Sequence, residues 1–152
     1  MRLSIILCLS VLCSFSFTSN AQPNNETDQI LGIWLSGSKK AKVKIYKCQD
    51  LYCGKIVWLR DPYYEDGTVK IDKKNSDESL QSRAVLGINI LEGFVYNGEL
   101  EWEDGEIYDP DNGKTYSCVI NLNTEENILE VRGYIGFSWI GRTEEWIKSS
   151  LD

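Results

Sequence analysis

Apolar and polar residues alternate with a period of two through most of this chain, which is the spacing of half-buried β-strands. The first such segment is Gly32–Leu35. Residues 43–48 put Val43 and Ile45 on one side and Lys44 and Tyr46 on the other, and residues 53–59 continue in the same style. Opposing Cys48 to Cys53 across the four residues Gln49, Asp50, Leu51 and Tyr52 faces Ile45 to Ile56 and Val43 to Trp58. Both cysteines then lie on the polar side with Lys44, Tyr46 and Lys55. Residues 85–91 are almost all apolar and read as a strand buried on both faces. Phe94, Tyr96, Leu100 and Trp102 alternate with polar residues around Asn97-Gly98, a tight-turn signal, while Glu99, Glu101 and Glu103 face outward. Tyr116, Cys118, Ile120 and Leu122 share an inward phase. Residues 128–135 and 143–148 complete the set. Residues 61–79 differ: they are polar, rich in Asp and Lys, and contain Pro62 and Gly67, so they predict a long loop with one helical turn capped near Asn75 or Ser76. With no long amphipathic helix, about eight short strands predict an all-β chain, a closed antiparallel barrel or a sandwich.

The start of the chain has another character. Arg2 precedes a mostly apolar run to Phe17, and Ser19, Asn20 and Ala21 form a small-residue cleavage pattern. Residues 1–21 are therefore expected to be a signal peptide, leaving 22–152 as one exported domain, periplasmic or secreted. The run is shorter than the roughly 20 residues of a spanning helix and is broken by serines. A lipoprotein reading would place the lipid on Cys13 after Leu12, where a small residue is usual. No second apolar segment follows, so no membrane span is expected in the mature chain.

Charge narrows the partners. The chain has 16 Lys and Arg against 23 Asp and Glu, a formal −7. Cleavage would remove Arg2 alone among these residues, and such an acidic surface argues against nucleic acid. Histidine is absent, which removes the commonest general base, the usual catalytic triads and most zinc sites. No catalytic residue, metal site or cofactor is assigned. Asp109, Pro110, Asp111, Asn112 and Gly113 lack the spaced oxygen ligands of a calcium loop and read as a turn.

Cys48, Cys53 and Cys118 lie beyond the leader. An oxidising compartment and the hairpin phase favour a Cys48–Cys53 disulfide, with Cys53–Cys118 as the alternative. Cys118 on an inward row reads as a buried thiol. Trp34, Trp58, Trp102 and Tyr116 are expected to point inward, either filling the core or walling a pocket. Arg142, Glu144 and Trp146 share an inward phase, as a network closing the barrel or as partners of a ligand's polar head. Arg83 reads as an anion site or a cap on the long loop. The candidate ligand contacts are thus Trp58, Trp102, Tyr116, Arg83 and Arg142.

Two resemblances bear on these patterns. Gly32-x-Trp34 on a first strand, with Arg142 on a last strand, looks like the lipocalin and calycin barrels, in which the tryptophan plugs the closed end and an arginine packs over it. The resemblance thus implies barrel closure by Trp34 and Arg142. A second likeness covers residues 32–148. It rests on AKVKIYKC with CGKIVWL, on Asp72, Asn75, Leu80 and Arg83 leading into Leu86-Gly87, and on IYDPDNGKTYSC, VRGYIG and GRTEEW. These resemble an exported bacterial family, domain of unknown function 2147. That family implies a small lipocalin-like barrel in the cell envelope and no particular reaction. The leading expectation is an exported β-barrel that binds a small apolar or amphipathic ligand. Two others stand beside it: an envelope interaction module docking through residues 61–79 or a strand edge, and, ranked last, an enzyme using carboxylates or Cys118.

Overall fold

A computed structural model describes residues 25–152. The expected signal peptide lies outside the described residues. Eight strands follow in order: β1 (Gly32–Leu35), β2 (Ala41–Cys48), β3 (Leu51–Leu59), β4 (Asn89–Gly98), β5 (Glu101–Asp109), β6 (Lys114–Asn123), β7 (Ile128–Tyr134) and β8 (Gly141–Ser149). Each pairs antiparallel with its neighbours, and β8 returns to β1, so the sheet closes into a barrel within these residues. Among the described residues closure pairs every strand on both sides, with β8 meeting β1 only over Ile147, Lys148 and Ser149.

The ends of the barrel differ. At one end the connections are short: residues 49–50, 99–100 and 124–127, with the 3₁₀ turn Glu26–Asp28 packed below. Ile30 and Trp34 are fully buried there, and the Trp34 indole Nε1 donates to the Ile30 carbonyl at 2.8 Å. Trp102, Tyr52, Phe94, Leu122 and Leu129 fill the space above them. Trp102 meets the Tyr52 ring edge-on at 6.1 Å and the Tyr96 ring at 5.1 Å. The Phe94 ring lies where a Gly105 side chain would be, 2.4 Å from an ideal Cβ, so only glycine allows this contact.

Trp34 lies buried at the closed end, but Arg142 does not pack over it. Arg142 starts β8 at the opposite end of the barrel, and its side chain is 85% exposed. The cation over Trp34 is Lys148, with Nζ 4.2 Å from the ring centroid and donating to the Leu31 carbonyl at 2.7 Å. β8 runs from the open end to the closed one, so only a residue near its end reaches the floor.

The β2–β3 register also departs from expectation. The turn is two residues long, with Gln49 in the left-handed region (φ 58°). Cys48 therefore faces Leu51, and Cys53 faces Tyr46. The Cys48–Cys53 disulfide forms as expected, but on a diagonal with Cα atoms 5.8 Å apart. Further along, Val43 faces Ile56 but Lys42 faces Trp58, so β3 carries an extra residue. A bulge of this kind reverses which face each later side chain takes. Trp58 is turned outward, half-buried, with the Lys42 ammonium 5.4 Å from its ring.

Two other boundaries shift. Asn97 and Gly98 end β4, and the turn falls on Glu99 and Leu100, both at positive φ. Residues 85–88 precede β4 rather than forming a doubly buried strand, and Leu86 is exposed. The Asp109 side chain organises the turn after β5 as expected, accepting from the Asp111 backbone N–H at 2.8 Å and from Asn112 Nδ2 at 2.7 Å.

Candidate functional site: an open cavity walled by the long connection

The four connections at the other end are residues 36–40, 60–88, 110–113 and 135–140. They surround a cavity of about 1110 Å³ that opens to solvent. This matches or exceeds ordinary ligand pockets, roughly 300–1000 Å³. The reason lies in side-chain size. Below, tryptophan and phenylalanine fill the lumen. Above, the inward row of β7 ends in Gly133, which contributes no side chain. The walls are Ile56, Ile90, Ile107, Val131 and Trp146. Trp146 is buried, and its Nε1 finds no hydrogen-bond partner among the described residues.

The connection 60–88 is a fixed wall. It is pinned by the bridges Tyr63 to Val69 and Ile71 to Ala84, and by the 3₁₀ turn Glu78–Leu80, which Asp77 rather than Asn75 or Ser76 caps. Its anchor is Asp72, fully buried. The carboxylate accepts from Tyr108 Oη at 2.5 Å, Asn75 Nδ2 at 2.8 Å, and Arg83 Nε and Nη2 at 3.0 and 2.9 Å. Four donors on one carboxylate satisfy a charge that burial would otherwise penalise by several kcal/mol. Burial, with Asp72 beside it, pushes the Tyr108 hydroxyl up to about 12, so it stays a donor. The wall also meets the β5–β6 turn closely: an ideal Cβ on Gly113 would lie 1.8 Å from the Lys74 carbonyl.

Around the rim, Lys40, Lys70, Lys73, Lys74 and Arg142 stand among Asp61, Asp109, Asp111 and Glu144. Lys40 pairs with Asp111 at 3.6 Å and Arg142 with Glu144 at 3.3 Å. Lys73 lies 4.9 Å from the Tyr64 ring centroid. The rim is polar while the walls are apolar.

Of the five candidate ligand contacts, Tyr116 and Arg142 line the cavity. Tyr116 Oη accepts from Asn112 Nδ2 at 3.0 Å. Arg142, Glu144 and Trp146 do share the inward row, but Arg142 and Glu144 stand at the open mouth and Trp146 is buried in the wall beneath them. Trp58 is outside, Trp102 belongs to the packed floor, and Arg83 is engaged by Asp72. Residue pattern alone passed over Tyr108, Ile90, Ile107 and Val131. Asp72, Asn75 and Arg83 carried a signal, since all three belong to the ordered motif that the family resemblance rested on. Cys118 is fully buried, and burial pushes its thiol up to about 12. A thiol so reluctant to ionise is a poor nucleophile. No group of three or more Cys, Asp and Glu is placed to hold a metal ion among the described residues.

Residues 32–148 match the family described as an uncharacterized protein conserved in bacteria, DUF2147. The chain belongs to this family. No curated protein matches it. Among solved structures, it is similar to protein HP1028 from the human pathogen Helicobacter pylori, which is described as belonging to the lipocalin family. The identity is 22%, the TM-score 0.67, and the match covers 80% of this chain and 83% of the other. At that identity the likeness shows a shared fold, and the DUF2147 chain is a lipocalin-like barrel.

Proposed function

We propose that this DUF2147 barrel carries a small amphipathic ligand, its apolar part between Ile56, Ile90, Ile107, Val131 and Trp146 and its polar end at the rim. The observation that carries this reading is the cavity: a half-filled lumen with apolar walls under a charged mouth. Barrels of eight strands have room either for packed side chains or for one small ligand, and here the upper half is left to the ligand. The disulfide and the leader pattern support export, with the cell envelope or its surroundings as the working place. The anchored wall supports a carrier over a docking loop, because residues 60–88 are occupied in shaping the cavity.

Gly133→Phe tests the reading. A Cβ at Gly133 meets Ile107 Cγ2 at 3.4 Å and Tyr116 Cβ at 3.7 Å, ordinary contacts that the fold tolerates. The ring beyond it then occupies the lumen. The wild type is expected to enhance the fluorescence of an anilinonaphthalene sulfonate probe saturably, and the variant to weaken that binding by about tenfold or more, equivalent to roughly 1.4 kcal/mol. Native mass spectrometry of gently purified protein then asks what co-purifies. Equal probe binding by a folded Gly133→Phe barrel would sink the cavity as the binding site.

A further inference from the structure

The connection between β7 and β8 is exposed in an unusual way. Ile135, Phe137, Trp139 and Ile140 are 70%, 60%, 72% and 61% exposed. Phe137 and Trp139 stack at 4.5 Å with ring planes 10° apart. The tip is built and held: Arg132 donates from Nε to the Ser138 carbonyl at 2.6 Å and from Nη1 to Thr143 Oγ1 at 2.9 Å. Residues 135–140 contain no charge. Four large apolar side chains offered to water on one hairpin mark an interaction surface.

Position and charge say what covers it. Ile135 and Ile140 also line the cavity mouth. Tyr63, Val69 and Leu86, on the connection at the same end, are exposed too. Charge follows the same axis. The leading segment 25–31 and the turns at the closed end carry Glu26, Asp28, Asp50, Glu99, Glu125 and Glu126 and no lysine or arginine. The four mouth-end connections carry seven bases against seven acids. The closed end is therefore repelled by an acidic surface, while the mouth end is neutral, basic in part and apolar at its tip. Aromatic rings beside lysines and arginines are the chemistry that settles in the headgroup layer of a bilayer.

We propose that the barrel docks mouth first on a phospholipid surface, with Phe137 and Trp139 inserted among the headgroups and the acidic closed end held away. This is independent of what the cavity holds.

The test uses a chain beginning at Gln22, since the barrel closes within residues 25–152. It is sedimented with vesicles of phosphatidylcholine mixed equally with phosphatidylglycerol, and with phosphatidylcholine alone. The wild type is expected to bind, and Phe137→Ser/Trp139→Ser to bind about tenfold or more weakly. Brominated lipid is expected to quench tryptophan emission, and Trp139→Phe to remove most of that quenching. The latter readout survives if the double variant folds poorly. Three outcomes overturn the proposal: no binding of the wild type to either vesicle, equal binding by a folded double variant, or quenching undiminished in Trp139→Phe. A wild-type dimer that the double variant dissolves, without vesicle binding, gives the surface to a second copy instead. Because probe binding at Gly133 is measured without lipid, the two proposals fail separately.

Discussion

Removing the carboxylate of Asp72 is the sharpest perturbation this barrel offers. In Asp72→Ala, Tyr108 and Arg83 lose this acceptor, and the side-chain N–H groups of the buried Asn75 keep only Tyr108 Oη, at 3.1 Å. Breaking a buried pair from one side costs about 3–5 kcal/mol. The Arg83 side chain is 36% exposed and regains some hydration, which puts the expectation at the low end, about 3 kcal/mol. For a domain of roughly 130 residues that corresponds to a melting temperature lower by about 10 °C. Circular dichroism melts measure it, and limited proteolysis shows whether residues 60–88 release first. Since Ile71, Val85 and Tyr108 line the cavity, probe binding is expected to weaken with the wall. Arg83→Ala and the double variant complete a cycle, in which the double loss falls short of the sum by about 1 kcal/mol or more. A loss under about 1 kcal/mol for Asp72→Ala, or additive losses, would refute the account of Asp72 as the anchor.

Three further expectations follow from the floor, the thiol and the hairpin. Burial holds the Lys148 ammonium below the ordinary lysine value of 10.5. The unfolded chain thus keeps that proton to higher pH, and stability rises with pH up to about 10.5 on this account. Lys148→Met is expected to remove that rise in alkaline urea titrations. Cys118 acts in the opposite sense: its thiol is raised from 9.0 to about 12, so the unfolded chain ionises first and stability falls between those values. Cys118→Ala should flatten that part of the decline, and iodoacetamide should leave the folded wild type unmodified at pH 8. Cys48→Ser/Cys53→Ser opens a loop with a sequence separation of 5. Chain entropy for so short a loop predicts a loss of about 2 kcal/mol, read from urea denaturation.

Much of the barrel was legible residue by residue. Alternation placed Ile45, Ile120, Trp102 and Cys118 inside, since period two is a local property of an extended chain. The hairpin pointed to the right disulfide even with the register two residues off, because a diagonal bridge and a direct one need the same face. Trp58 went wrong for a local reason with a distant cause. One extra residue in β3 reverses its face, and only pairing with β2 shows the bulge. Arg142 went wrong because strand direction decides which end of β8 lies over Trp34, and a sequence shows a cation on a last strand without showing where that strand starts.

The candidate site was less legible. Tyr116 and Arg142 were legible as inward residues, but the cavity is a sum over seven strands and four connections, and no single segment announces it. Asp72, Asn75 and Arg83 stood out only through a family motif; their meeting with Tyr108 spans 36 residues of chain between Asp72 and its donor.

By itself the amino-acid order determined what is local or additive: extended strands, reversals between them, an apolar row for the inside, an acidic outside, and no histidine chemistry. Folding in three dimensions decided whether the barrel's lumen is full or open, which cation covers Trp34, and that Asp72 finds four donors at the cavity wall. Those outcomes depend on register and on strand direction around a closed ring, where a shift of one residue in one strand is felt by every neighbour.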